Sequence, residues 1–126
     1  MSGNKSKFDT GHLDAKTLRN DKVFRAISDI SRRHMLMLIR GTPGITMTEL
    51  CDHFSVSRFA IIKHLNILEE TGLIRRVQEG SFKRLFLNVT PLEDAVLPWT
   101  QDMLNTGKND PQSKRRFTVK VDKKVS

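Results

Sequence analysis

The sequence predicts a mainly α-helical domain carrying one β-hairpin, in the order α-α-α-α-β-β-α. Three observations lead there. Apolar residues recur at spacings of three and four from Leu13 to Arg40 and again from Ser57 to Thr71, the helical period. Residues 73–77 and 82–89 are instead rich in Val, Ile, Leu and Phe, and Glu79-Gly80-Ser81 separates them as a turn. The chain, at 126 residues, is long enough for one modest core and too short for two.

Residues 1–12 are polar and small and predict a flexible N-terminal arm; the domain proper is 13–106. Within 13–40, Leu18, Val23, Phe24, Ile27, Ile30, Met35, Leu36, Leu38 and Ile39 mark two helices divided near Asp29 to Ser31, with Ser31 able to cap the second. Gly41-Thr42-Pro43-Gly44 is a turn. Thr46 or Thr48 caps a short third helix running to about Phe54, with Glu49 completing a capping box if Thr46 is the cap. Ser57 caps a longer helix that reaches about Thr71, where Gly72 stops it. Two helices joined by so short a turn form a helix-turn-helix candidate. Beyond the hairpin, Pro91 opens a final helix with Leu92, Ala95, Val96, Trp99 and Met103, which Pro98 kinks or divides. Residues 107–126 are basic and poor in apolar residues and predict a disordered tail, the alternative being a strand through Phe117, Val119 and Val121.

Formal net charge is +8, which points to an anionic partner, nucleic acid or an acidic membrane surface. Its distribution narrows the choice. Residues 1–40 carry nine Lys/Arg against four Asp/Glu and 107–126 carry seven against two, whereas 41–106 carry six against eight. A basic groove in the middle must be assembled from Arg58 with Lys63, Arg75 with Arg76, and Lys83 with Arg84. The tail lacks the apolar face of an interfacial helix, and no run approaches the roughly 20 apolar residues of a bilayer span. With one cysteine there is no intrachain disulfide. The expectation is a cytoplasmic protein without a membrane partner.

On a helical wheel of 57–71, Ala60, Ile61, His64, Leu65, Ile67 and Leu68 gather on one side as a core stripe. Phe59, Ile62, Lys63, Asn66 and Glu70 gather on the other, with Ser57 and Arg58 at the helix start. That second face suits a major groove: Arg58 and Lys63 can reach phosphates or guanine, Asn66 can pair with adenine, and Phe59 and Ile62 can meet thymine methyl groups. Cover by a protein partner is the competing role for the two apolar residues. His64, on the core side, reads as a packed, hydrogen-bonded histidine. The hairpin adds Arg75 and Arg76 before its tip, Ser81 at it, and Lys83 and Arg84 after it, a ribbon suited to the backbone or minor groove.

Together "AISDISRRHMLMLI", "MTELCDHFSVSRFAIIKHLNILEETGLI" and "RRVQEGSFKRLFLNVT", within residues 22 to 90, resemble the ArsR-type winged helix-turn-helix transcriptional regulators. The resemblance implies a homodimer through the first and last helices, here Leu18, Phe24, Leu92, Val96, Trp99 and Met103. It implies two recognition helices on a pseudo-palindromic operator, and repression by blocking initiation. Ser57, Arg58, Phe59, Ile62 and Lys63 match the family's DNA-facing positions and Glu79 to Arg84 its wing; the Ile62 position often holds serine in relatives. Many relatives sense metals through cysteines in the short third helix, where this chain has "GITMTEL", placing Thr46 and Thr48 at the thiol positions. Hydroxyls replace thiolates poorly for soft metals, Cys51 and His53 lie on different helix faces, and no histidine follows His64, so no metal or other cofactor is expected. Cys51 reads as a small buried hydrophobe, the alternative being a redox sensor. Trp99 with Phe8 or Phe24 lines either a dimer interface or a small-ligand pocket.

The leading expectation is therefore a sequence-specific DNA-binding repressor, with double-stranded DNA and a second copy as partners and an effector left unnamed. The alternative is a winged-helix protein-interaction module that uses Phe59 and Ile62. No nucleophile, phosphate loop or metal spacing supports an enzyme.

Overall fold

The computed structural model describes residues 13–106. The expected arm 1–12, the tail 107–126, Phe8 and the alternative strand at Phe117 to Val121 lie outside the described residues. Helix α1 (Ala15–Ile27) starts at Asp14, whose carboxylate accepts from the Thr17 amide at 2.8 Å. Helix α2 (Ile30–Gly41) begins two residues earlier than a Ser31 cap would place it. Asp29 is the cap, accepting from the Arg32 amide at 3.0 Å, and this bond is the main reason its carboxyl is held below the usual range. A carboxylate outcompetes a hydroxyl here because it also meets the positive end of the helix dipole. The same start brings the Arg32 guanidinium back onto the carbonyls that end α1, Ala26 O at 2.6 Å and Arg25 O at 3.2 Å.

After the turn comes an element the sequence did not announce, a two-residue strand β1 (Ile45–Thr46). It pairs antiparallel with β3 (Phe82–Leu87), Ile45 opposite Leu85 and Thr46 opposite Arg84. β3 also pairs with β2 (Ile74–Glu79), so the hairpin becomes a three-stranded sheet in the order β1-β3-β2. Gly44, at φ +84°, lets the chain turn into β1 close beside the Phe86 ring.

Thr46 is the cap of helix α3 (Met47–Cys51) and the capping box is complete: its hydroxyl accepts from the Glu49 amide at 3.1 Å, and Glu49 Oε1 accepts from the Thr46 amide at 2.9 Å. The helix is shorter than the predicted span to Phe54. His53 and Phe54 instead close tighter turns onto Leu50 and Cys51, which lets the chain reverse. Thr46→Ala is expected to cost about 0.5–2 kcal/mol in denaturant-induced unfolding while Thr46→Ser retains most of the cap. The hydrogen bond from the Thr46 amide is the main cause holding the Glu49 carboxyl below its usual range. Its contribution is thus complete above the ordinary Glu value and disappears as pH falls through the depressed one.

Helix α4 (Arg58–Glu70) is capped by Ser57, whose hydroxyl accepts from the Ala60 amide at 3.1 Å. It ends in a Schellman arrangement: Leu73 N–H donates to Leu68 O at 3.0 Å and Gly72 N–H to Glu69 O at 2.9 Å, with Gly72 at φ +80°. The chain therefore leaves α4 directly into β2. Asn88, just past β3, closes the base of the hairpin by donating to Leu73 O and Gly72 O, both at 2.8 Å.

The last helix is continuous through Pro98, which neither ends nor divides it. A π-type turn (Leu92–Val96), in which the Leu97 amide reaches Leu92 O, feeds straight into α5 (Leu97–Thr106). The widened turn accommodates a proline that has no N–H to give. Met35, Ile39, Leu50, Ile61, Leu65, Leu68, Leu73, Ile74 and Leu85 are fully buried where α2, α3, α4 and the sheet meet.

Candidate nucleic-acid interface

Burial orients α4. Ile61, Leu65 and Leu68, spaced four and three apart, are completely enclosed, so the opposite side faces out. Ala60 and His64 are half-buried as their side of the wheel predicts, but Ile67 is 37 % exposed and does not belong to the core stripe. Ile62 also departs from expectation: it is half-buried against the core and not on the wet side. Phe59 is the open one, 69 % exposed, with Lys63 Nζ 5.2 Å from its ring centroid one turn along. The pair holds the ammonium beside the ring without desolvating it.

At the N-terminal end of α4 the wing tip comes close. Arg58, Ser81, Phe82 and Lys83 share a small cleft of about 120 Å³ with Thr46 and Thr48. Neither Arg58 nor Lys83 has an ion-pair partner among the described residues, so both cations are available to an external anion. Phe82, 54 % exposed in that cleft, was not singled out from sequence, although its place beside the Gly80-Ser81 turn and before Lys83-Arg84 marked it as a tip residue.

Of the remaining predicted cations, Arg75 stays exposed like Lys63, whereas Arg76 and Arg84 are held by partners within the protein. Arg75 lies 5.4 Å over the Phe86 ring. Arg76 has Nε 2.9 Å from Glu69 Oε1 and donates through Nη2 to Asn66 Oδ1, so the amide that could have read adenine already has a partner. Arg84 pairs with Glu79, lies over the Phe82 ring and donates to Gly44 O at 3.0 Å. Ser57, Arg58, Phe59, Lys63, Arg75, Ser81 and Lys83 thus form the exposed set, while Ile62, Asn66, Arg76 and Arg84 are tied to the protein itself.

His64 sits at a junction of three helices. Arg32 Nη1 is 3.1 Å from its Nδ1, and Asp29 Oδ2 is 3.9 Å away. A guanidinium only donates, so Nδ1 accepts and the neutral ring carries its proton on Nε2. Among the described residues no three His, Cys, Asp or Glu side chains gather in one place, and Cys51 is a half-buried free thiol. No helix among them is long and apolar enough to cross a membrane.

On the opposite side, Phe24 meets Trp99 edge-on at 5.9 Å, joining α1 to α5. Leu18 is 43 % exposed and Trp99 and Met103 are each 54 % exposed, along with Leu97 and Leu104. Leu92 and Val96, grouped with them in the sequence reading, are half-buried and pack on the core of their own chain. An open groove of about 610 Å³ between these helices is lined by Leu18, Phe24, Ala95, Pro98 and Trp99, with Asp21 and Asp94 at its rim.

A family model described as an HTH domain matches residues 31–79. The transcriptional repressor SdpR of Bacillus subtilis is 38 % identical over 90 residues, 71 % of this chain and 98 % of that protein. An uncharacterized HTH-type transcriptional regulator of the same organism, YuzN, is 31 % identical over 87 residues, 64 % of this chain and 95 % of the relative. Among solved structures, an ArsR-like transcriptional regulator from Rhodococcus sp. RHA1 superposes with a TM-score of 0.68 at 24 % identity, covering 86 % of this chain and 94 % of the other.

Proposed function

We propose that this chain, which belongs to the ArsR-type winged helix-turn-helix family of DNA-binding transcriptional regulators, represses transcription by occupying a pseudo-palindromic operator as a homodimer. The observation that carries the reading is the outward face of α4. It buries Ile61, Leu65 and Leu68 completely while leaving Arg58, Phe59 and Lys63 open, beside a wing tip that offers Ser81 and Lys83. A major groove admits one helix, and two cations flanking an aromatic ring provide phosphate or guanine contacts next to an apolar contact for a thymine methyl. Identity to a repressor along nearly its whole length supports the direction of regulation.

Leu18, Phe24, Trp99 and Met103 form the self-association surface in this reading, with Leu92 and Val96 supporting it from below. No metal acts as signal. Thr46 and Thr48 stand where metal-sensing relatives place thiolates, and the Thr46 hydroxyl is committed to its capping box.

The test is binding to the DNA upstream of the protein's own gene and to a scrambled duplex over a salt series. Arg58→Ala and Lys63→Ala are each expected to remove about 1–3 kcal/mol of preference for the upstream DNA and to flatten the salt dependence. The exposed Phe59 ring favours one rival, a protein partner on this face. Weak binding that ignores salt, sequence and both substitutions would establish that rival instead.

A further inference from the structure

We propose that Arg76 is a positioning residue that locks the wing to the recognition helix through Glu69 and Asn66, and is not itself a DNA contact. This rests on the DNA-binding reading of α4 and the hairpin, and assigns to one of the hairpin's four cations a role opposite to the one its charge suggests.

The connection between α4 and β2 is only Thr71-Gly72-Leu73, so covalent geometry alone leaves the hairpin free to swing about its base. Pairing of β3 with β1 and burial of Ile74 and Leu85 anchor the base of the hairpin, and a side-chain contact from α4 to β2 adds a restraint further toward the tip. Arg76, on β2 opposite Leu85 of β3, supplies that contact: Nε lies 2.9 Å from Glu69 and Nη2 donates to Asn66, two α4 residues three apart on the same face. Its side chain is only 17 % exposed while that of Glu69 is 44 % exposed, so the guanidinium is enclosed and the carboxylate covers it from the solvent side. To meet a phosphate, Arg76 would have to leave both partners, uncover itself, and present the orphaned Glu69 carboxylate to the same polyanion. Arg76 and Glu69 together carry no net charge, so the pair adds nothing to the attraction between the protein and DNA. Lys83, exposed in the cleft with Arg58, has the opposite character.

Pinned in this way, the wing tip and the start of α4 meet DNA at a fixed separation, and the ordering of the hairpin is already complete before binding. A brace and a phosphate contact leave different signatures. Each phosphate neutralised contributes about 0.9 to the slope of log K against log salt, whereas a brace contributes none.

The full chain, Arg76→Met, Lys83→Met and the exchanged pair Glu69→Arg/Arg76→Glu should be titrated against the gene's own upstream DNA and a scrambled duplex across salt. Amide hydrogen exchange of residues 74–87 should be followed in the free proteins. Arg76→Met is expected to lower the preference for upstream DNA by about tenfold, within the range of coupled contacts, with the salt slope unchanged. Lys83→Met is expected to lower the slope by about 0.9. Wing amides should exchange severalfold faster in Arg76→Met and recover in the exchanged pair, which a loss of general stability would not reproduce. A slope that falls in Arg76→Met as it does in Lys83→Met overturns the assignment, and so does unchanged exchange across the wing. A wild-type protein with no preference for the upstream DNA refutes the proposed function, and the exchange measurement still decides the brace.

Discussion

Leu65→Ala is expected to lower the unfolding free energy by about 2–5 kcal/mol, the usual cost of emptying a fully enclosed leucine site. Leu65 is completely buried in the middle of α4, between Ile61 and Leu68 and within the cluster that includes Met35, Ile39 and Leu50. Domains of this kind hold about 5–15 kcal/mol in total, so the loss consumes a large part of the margin. Urea titration should show a lower midpoint with the slope retained, at a fixed protein concentration because self-association would add to the apparent stability. Ile67→Ala is the matched control. It removes the same kind of side chain from the same helix, but from a site 37 % exposed, and should change stability by no more than about 0.5 kcal/mol. Equal effects at 65 and 67 would mean that α4 is rotated from the orientation described, and with it the whole outward face.

Trp99→Asp is expected to give a monomer whose affinity for a two-half-site operator falls by about 10²- to 10⁴-fold, the factor by which linkage of two binding modules exceeds one. The indole is 54 % exposed and already fixed edge-on against Phe24, so its open face is preformed for a partner and costs little further ordering. A carboxylate there would have to be desolvated at the centre of the proposed interface, near the Asp21 and Asp94 rim of the groove. Sedimentation distinguishes the two states directly, and circular dichroism reports whether the monomer is folded. A folded Trp99→Asp variant that remains dimeric at the same concentration removes α5 from the interface.

Local signals in the sequence were dependable where one residue type answers one backbone need. Ser57, Thr46 with Glu49, Gly72 and the Glu79-Gly80-Ser81 turn all appear in their expected roles, because caps and turns are decided within four residues. The start of α2 was decided by competition between two adequate caps, and Asp29 won over Ser31 on charge. β1 was invisible because two residues show no period; its strand character comes only from pairing with Leu85 and Arg84, some forty positions away. Ile62 and Ile67 exchanged expectations for a related reason. A wheel assigns sides but not the width of the contact, which depends on where the neighbouring elements sit. The site suffered most from this. Charge in the hairpin was legible, but its employment was not: Arg76 meets α4 and Arg84 meets Gly44, contacts that only the folded chain brings together.

The widened turn at Leu92–Val96 carries an implication for how the last helix tolerates change in chain length. It adds one residue to the helical path just before Trp99 and Met103, and each residue turns the path by about 100°. A one-residue deletion inside the turn would leave the composition of the C-terminal helix almost untouched and would swing its exposed apolar stripe round to another bearing. Substitutions at its exposed positions, Glu93 and Asp94, should be absorbed far more readily than insertions or deletions. In the proposed dimer, the direction in which this helix faces the second copy is therefore written as a count of residues, more than as their identity.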